Sequence, residues 1–190
     1  HGPSRLDGAD IVVIATGLAN NSHNPKTGAM IQTWVMRTDT PPKTAQDNGT
    51  DASVCGDCPL RPVKNDWPRC YVKTWQAPRS VLDGFHRGIY QPVTDWSVFA
   101  GLKIRIGSYG DPAAVPAHIW KRLIKLATHH TGYTHQWRSR RDATAYLMAS
   151  VESPAGRGAA KAKGYRTFRT KRPDDPVLPG EISCPASKEA

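Results

Sequence analysis

The stretch KIRIGSYGDPAAVPAHIWKRLIKLATHH, residues 103–130, contains the pattern that decides the fold. Residues 103–109 alternate apolar and polar side chains and predict a β-strand, and a loop rich in Pro and Gly follows over 110–116. Residues 117–130 predict an amphipathic helix, whose partial apolar face is formed by Ile119, Leu123, Ile124 and Leu126. A strand, a loop and a helix in succession are typical of the units that build parallel sheets.

The same alternation of elements continues along the chain. Downstream, the pattern predicts strands over 133–137, 145–152 and 165–170 and a short helix over 156–164. Upstream, two β-branched apolar runs at 10–18 and 30–37 predict a hairpin across the turn-rich loop 20–28. We therefore expect a single α/β domain over residues 1–190, with a mostly parallel sheet that forms a partial or irregular barrel.

Size and composition exclude several protein classes. A chain of 190 residues with 38% apolar residues and six Trp buries a core without disulfides. It contains no apolar run of about 18 residues and no N-terminal pattern of a signal peptide. We therefore expect a soluble cytoplasmic protein with no membrane partner.

Four cysteines suggest a metal centre in a Pro-rich insertion over residues 38–78. Cys55 and Cys58 form a C-x2-C pair, Cys70 follows, and Cys184 stands near the end of the sequence. Two thiolates at this spacing can bind one ion from a tight turn, and a metal would hold an otherwise irregular segment. Zinc and a [4Fe–4S] cluster both accept four thiolates, and the spacing does not separate them. Disulfides and unrelated buried thiols are the alternatives.

Polar residues follow the predicted strands where an α/β fold binds its ligands, beyond the carboxyl ends. We expect one catalytic cleft formed by Asp111, His135, Glu152 and Arg169. A histidine beside carboxylates suits acid–base work or metal binding. Alternatively, Asp111 caps the following helix, His135 is a satisfied polar residue and Glu152 pairs with an arginine. The neighbouring His129 and His130 are interpreted as a basic helix terminus.

The net charge of +10 comes from one part of the chain, since residues 120–172 carry thirteen Lys and Arg against two acidic residues. This surplus favours nucleic acid as a partner, because cationic side chains neutralise phosphates and aromatic faces stack on bases. The predicted nucleic-acid-binding residues are Trp137, Arg138, Arg140, Arg141, Lys161, Lys163, Arg166, Lys171 and Arg172. The alternative is a solvated basic surface whose aromatic side chains turn into the core. No P-loop, G-x-G-x-x-G or G-x-S-x-G pattern is present.

A succession of motifs resembles a family of bacteriophage and prophage proteins. The motifs span nearly the whole chain and include DASVCGDCPLR, RIGSYGDPAAVP, TGYTHQWR, LMASVES, GYRTFRT and ISCPAS. The resemblance implies a phage setting in a host cell rather than a particular reaction. The strand-end motifs are also loosely similar to radical-SAM-type barrels, although the C-x3-C-x2-C loop of those enzymes is missing.

Two functions fit these patterns. The first is a phage-type protein that binds or processes nucleic acid and carries a four-cysteine metal centre. The second is a zinc or iron–sulfur enzyme that acts on a small or phosphorylated substrate at the carboxyl ends of the strands.

Overall fold

The computed structural model describes residues 1–19, 28–61, 70–172 and 174–184. These residues form an open sheet of seven strands and five α-helices. The strands are β1 (Gly2–Pro3), β2 (Asp10–Thr16), β3 (Ile31–Arg37), β4 (Lys103–Tyr109), β5 (His129–Thr134), β6 (Met148–Val151) and β7 (Arg166–Arg169). The helices are α1 (Pro42–Asn48), α2 (Ala52–Cys55), α3 (Ala77–His86), α4 (Ala117–Leu126) and α5 (Pro154–Ala162).

The strands lie side by side in the order of the chain. β1, β2 and β3 pair in antiparallel fashion, which confirms the predicted hairpin, although most of its loop lies outside the described residues. From β3 to β7 every neighbouring pair is parallel. The carboxyl ends of β4, β5, β6 and β7 therefore meet at one edge of the sheet, called here the carboxyl edge. The predicted α/β class with a mostly parallel sheet is confirmed, and the sheet does not close into a barrel.

Two predicted boundaries around β5 were wrong. The helix expected over 117–130 ends at Leu126, because Ala127 is extended and the Thr128 amide donates to Leu102 O over 3.0 Å. His129 then pairs with Lys103 of β4, so that the two neighbouring histidines begin β5 instead of ending a helix. The strand expected over 133–137 accordingly lies earlier in the chain.

The core forms where α4 and the crossover segments pack on one face of the parallel strands. Ile104 and Ile106 of β4 are fully buried, as is Trp120 of α4. The Trp120 indole donates to Pro112 O over 2.8 Å, which satisfies the only polar atom of its side chain. This packing fixes β4 and β5, and with them the residues that follow each strand.

The described part of the Pro-rich insertion, residues 38–61 and 70–78, contains only short helices and irregular segments. α1 and α2 have seven and four residues, and α3 begins at its end and packs on β3 through buried Val81 and Leu82. Residues 62–69, between the second and third cysteines, lie outside the described residues. Within the described part of the chain, no helix has the length and apolar character to cross a bilayer.

Candidate functional site

Three of the four predicted catalytic residues lie at the carboxyl edge. Asp111 comes two residues after β4, His135 directly follows β5, and Glu152 directly follows β6. His135 Nε2 lies 3.1 Å from Glu152 Oε1. The parallel pairing of β4, β5 and β6 brings these residues together although they are far apart in the chain.

Asp111 organises this edge through backbone hydrogen bonds. Its carboxylate accepts from the amides of Ala113 and His135 over 2.9 and 2.8 Å. The first bond caps the short 3-10 turn Pro112–Ala114, which is the capping alternative that the sequence left open. Burial raises the pKa of Asp111 to about 6, and the hydrogen bonds oppose that rise. Because both carboxylate oxygens accept backbone hydrogen bonds, Asp111 holds the segments that follow β4 and β5 in place.

The contact between His135 and Glu152 joins a half-buried imidazole to an exposed carboxylate. Burial lowers the pKa of His135 to about 4, and the charge of Arg138 adds to that effect while Asp57 opposes it. Burial raises the pKa of Glu152, and Arg138 opposes that rise. His135 Nε2 is buried, and its contact with Glu152 lacks hydrogen-bond alignment. At neutral pH the imidazole is therefore uncharged, and its Nε2 is available to a ligand or a proton.

Arg169 does not join this cleft. Its guanidinium donates to both carboxylate oxygens of Glu181 over 2.7 Å and to Pro176 O over 2.8 Å. Arg157 of α5 lies 3.5 Å from the same carboxylate. Arg169 therefore does not take the catalytic role that was predicted for it, and its ion pair with Glu181 gives it a structural role. Through Glu181, Arg157 and Arg169 hold segment 174–184 against the end of β7, and this contact is called here the clasp.

The cysteine loop is attached to the same edge. The Asp111 amide donates to Val54 O over 2.5 Å, and the Gln136 side chain donates to Cys55 O over 3.2 Å. Gly56 has φ +58°, and a Cβ there would lie 2.4 Å from Gln136 Nε2. Only glycine permits this approach, so the turn after Cys55 is fixed beside the ends of β4 and β5.

Arg61, which was not among the predicted site residues, closes the cysteine loop. Its guanidinium donates to Asp51 Oδ1 over 2.5 and 3.0 Å, and to the carbonyls of Gly56 and Gly49 over 2.8 Å each. An arginine three residues after a C-x2-C pair is the only sequence signal for this role. Because its acceptors flank Cys55 on both sides, Arg61 holds the turn in shape.

Three of the four thiols lie close enough to affect one another. Burial raises the pKa of Cys55 well above its usual value, and the charges of Asp51, Cys58 and Cys70 raise it further. Burial also raises the pKa of Cys58 to about 12, with Cys70, Asp111 and Glu152 adding to the rise. The pKa of Cys70 is raised chiefly by burial. Ionising all three thiols together is therefore unfavourable without a cation.

The structure leaves the four-cysteine centre as a prediction. The four cysteines, all within the described ranges, form no disulfide, and Cys184 is exposed. Among the described residues, no three or more His, Cys, Asp or Glu side chains are arranged to hold a metal ion as they stand. Binding a metal would require the thiol side chains to turn towards one point.

Trp137, which was predicted to stack on a base, turns into the core. Trp137 is only 2% exposed, and its indole donates to Ser150 O over 3.1 Å. The Arg138 guanidinium lies 4.3 Å from the centre of the Trp137 ring. Tyr165 is also buried. Neither ring is open to a base, because both turn into the core, as the alternative interpretation had it.

The predicted basic residues divide into two groups. Arg140 pairs with Asp142 over 2.9 Å, and Lys163 donates to Arg138 O over 2.9 Å, so both have structural roles. Lys171 donates to Asp175 O over 2.7 Å. The exposed residues of the set are Arg138, Arg141, Lys161, Arg166, Lys171 and Arg172. A basic surface is present, although it is smaller than predicted.

Comparisons with models of protein families, with curated proteins and with solved structures gave no match.

Proposed function

We propose that the protein is a metalloenzyme that binds zinc or an iron–sulfur cluster at the carboxyl edge and acts there on an anionic substrate. The observation that carries this proposal is the attachment of the cysteine loop to the strand ends. Hydrogen bonds from Asp111 and Gln136 fix Val54 and Cys55 next to the ends of β4 and β5. The paired His135 and Glu152 lie at the same edge.

The chemistry of the donor set fits a soft or borderline metal. Cys55, Cys58 and Cys70 disfavour one another's ionisation, and a bound cation removes that penalty. Zinc and iron–sulfur clusters both use thiolate ligands. Three thiolates leave a fourth position, for which Cys184 is the candidate. Bound zinc would supply an activated water or a polarised oxygen, and a cluster would supply electrons.

The protein residues beside the centre support proton transfer and anion binding. His135 is neutral at neutral pH, so its Nε2 can accept a proton. Glu152, 3.1 Å away, would stabilise the imidazolium that forms. The exposed Arg138 acts electrostatically on both groups and gives this edge an attraction for negative charge.

Metal content tests the proposal directly. The full chain, purified without chelators and without oxygen, is expected to contain about one zinc per chain, or to show the broad absorbance near about 400 nm of ferric–thiolate charge transfer. Cys55→Ser, Cys58→Ser and Cys70→Ser should each lower the metal content. Cys184→Ser is the matched comparison, because retention of metal identifies three protein thiolates and loss identifies four.

A wild-type protein that is folded, free of metal and unable to take up zinc or a reconstituted cluster would contradict the proposal. The same conclusion follows if all four serine variants retain the full metal content.

A second candidate, binding of nucleic acid at the basic surface, is favoured by the exposure of Arg138 and Arg141. Affinity for a single strand should fall steeply with salt, because neutralised phosphates release counterions. The double variant Arg138→Ala/Arg141→Ala should reduce the salt slope by about 0.7 for each lost phosphate contact. The control Arg87→Ala changes an exposed arginine just after α3, on the β3 side of the sheet. Equal slopes in the double variant and the control would reject this candidate.

A further inference from the structure

Strands β4 to β7 present two faces of different character. Successive side chains of a strand point to opposite sides of the sheet. One face carries Ile104, Ile106, Ala149 and Val151, which are all buried. α5 packs on this face, since a Cβ on Gly156 would lie 3.5 Å from Val151 Cβ. The opposite face belongs to the alternate residues of each strand. It is called here the open face because, among the described residues, Lys103 and Arg166 on it are exposed, and Arg105, Tyr133 and Phe168 are half-buried.

An aromatic pair lies on the open face. The rings of Tyr133 and Phe168 have centroids 4.6 Å apart and planes tilted by 50°. They meet across β6, because Tyr133 is paired with Met148 and Phe168 with Ser150. Both rings are half-buried, and neither belongs to the hydrophobic core cluster. The pair thus leaves part of two adjacent aromatic rings accessible.

The charges on the open face are positive. Lys103 and Arg105 lie two residues apart on β4 and so share a face, and Arg166 of β7 pairs with Met148 of β6. Arg166 is exposed, and Arg105 donates to the Tyr71 hydroxyl over 2.7 Å. None of the residues of β4, β5, β6 and β7 is acidic. A ligand of this face therefore combines a planar apolar part with negative charge.

The open face leads directly to the proposed centre. His135 is two residues beyond Tyr133, and Glu152 is two residues beyond Ser150. The contact between His135 and Glu152 therefore lies at the carboxyl ends of β5 and β6, next to the strands that carry the aromatic pair. A planar group on the rings would have one end towards the carboxyl edge.

We propose that the open face binds a nucleoside phosphate, with its base on Tyr133 and Phe168 and its phosphate at Arg166. Aromatic side chains stack on any base, and guanidinium groups bind phosphate oxygens with matching geometry. The ligand is either a free nucleotide or one unit of a single strand. The binding site itself is argued from the open face alone. That the bound nucleoside phosphate is the substrate of the metal centre rests on the proposed function.

Binding measurements on the full chain test the site. The probes for calorimetric titration are the four ribonucleoside monophosphates, the uncharged nucleoside of the best one, inorganic phosphate, and a short single-stranded oligonucleotide. We expect a monophosphate to bind more tightly than its nucleoside and than phosphate alone, because each of these has half of the contacts. Much tighter binding of the oligonucleotide identifies a strand as the source, and equal binding identifies a free nucleotide.

Variants separate this face from the rest of the surface. Arg166→Gln should weaken binding of the monophosphate about tenfold and leave binding of the nucleoside unchanged. Phe168→Leu should weaken both about fivefold or more, because leucine keeps the apolar contact and loses the stacking ring. The matched control is Lys161→Gln, which removes one exposed charge from α5 on the opposite face.

Two results would overturn the inference. One is the absence of binding of every nucleotide probe at millimolar concentration by folded wild-type protein. The other is an equal loss of affinity in Arg166→Gln and Lys161→Gln, which would assign the phosphate to the general basic surface. Metal content is measured on the same preparation. Nucleotide binding without metal would reject the proposed centre alone, and metal without nucleotide binding would reject the open-face site alone.

Discussion

A methyl group added at Gly132 tests whether β5 packs as closely as the structure indicates. A Cβ at this position would lie 2.8 Å from Leu147 Cδ2 and 2.9 Å from Ile106 Cβ, and 3.1 Å from Ile106 O. Ordinary contacts between such atoms are about 3.5–4.0 Å, so at least two neighbours would have to move. Gly132 also lies three residues before His135, so the shift would reach the carboxyl edge.

The expected cost of Gly132→Ala follows from overpacking in a buried core. Such substitutions destabilise proteins by about 1–3 kcal/mol. The matched control is Gly158→Ala in α5, where nothing lies within 4 Å of the added methyl group. Alanine at an unstrained helical position should stabilise by about 0.4–1 kcal/mol, because the unfolded chain loses freedom. The two Gly→Ala variants should therefore change stability in opposite directions.

Urea denaturation followed by circular dichroism measures both variants. Gly132→Ala should lower the midpoint and leave the slope unchanged. A loss of 2 kcal/mol would lower the melting temperature by about 4–8 °C in a chain of this size. A midpoint equal to or above that of the wild type would refute the close packing of β5 against Ile106 and Leu147.

Three further predictions concern the residues that hold the site together. Asp111→Asn should lower the free energy of unfolding by about 1–3 kcal/mol in urea titrations, because one of the two bonded amides loses its acceptor. Since burial raises the pKa of Asp111 to about 6, the wild type should lose stability as pH rises from about 4 to 6, and a variant that lacks this slope would confirm the cause. Glu181→Gln should speed proteolysis within segment 174–184, and equal cleavage of variant and wild type would exclude the clasp. In the wild type the clasp should persist as pH falls from 7 to 5, because the arginines lower the pKa of Glu181 to about 2. Arg61→Ala should raise the reactivity of the cysteine loop with a thiol reagent about tenfold, if its bonds add about 1.4 kcal/mol to local stability. Arg79→Ala, which removes an exposed ion pair within α3, should not change that reactivity.

Periodicity in the sequence predicted the elements but not their ends. The run at 10–18 became β2 and the helix expected over 156–164 became α5, each within two residues at either end. The helix expected over 117–130 was four residues too long, because its last residues have polar side chains that suit a helix terminus and a strand equally well. Pairing with β4 decided between them, and that pairing is a contact between residues 26 apart.

The sequence by itself predicted that Asp111, His135 and Glu152 lie at one edge of the sheet. Each follows a strand, and the ends of neighbouring parallel strands share one edge whatever their side chains are. Arg169 also lies at the end of a strand but does not join them, because Glu181 reaches the end of β7 from a later segment and binds its guanidinium.

Only the tertiary structure decided which side chains face solvent. Trp137 stands among arginines in the sequence, yet its ring is buried and bonded to Ser150. Tyr133 and Phe168 are 35 residues apart in the chain and form a pair only because β5 and β7 flank β6. Local sequence fixes the periodicity of a strand, whereas the face that is covered depends on which helices pack against it, and that is set by contacts distant in the chain.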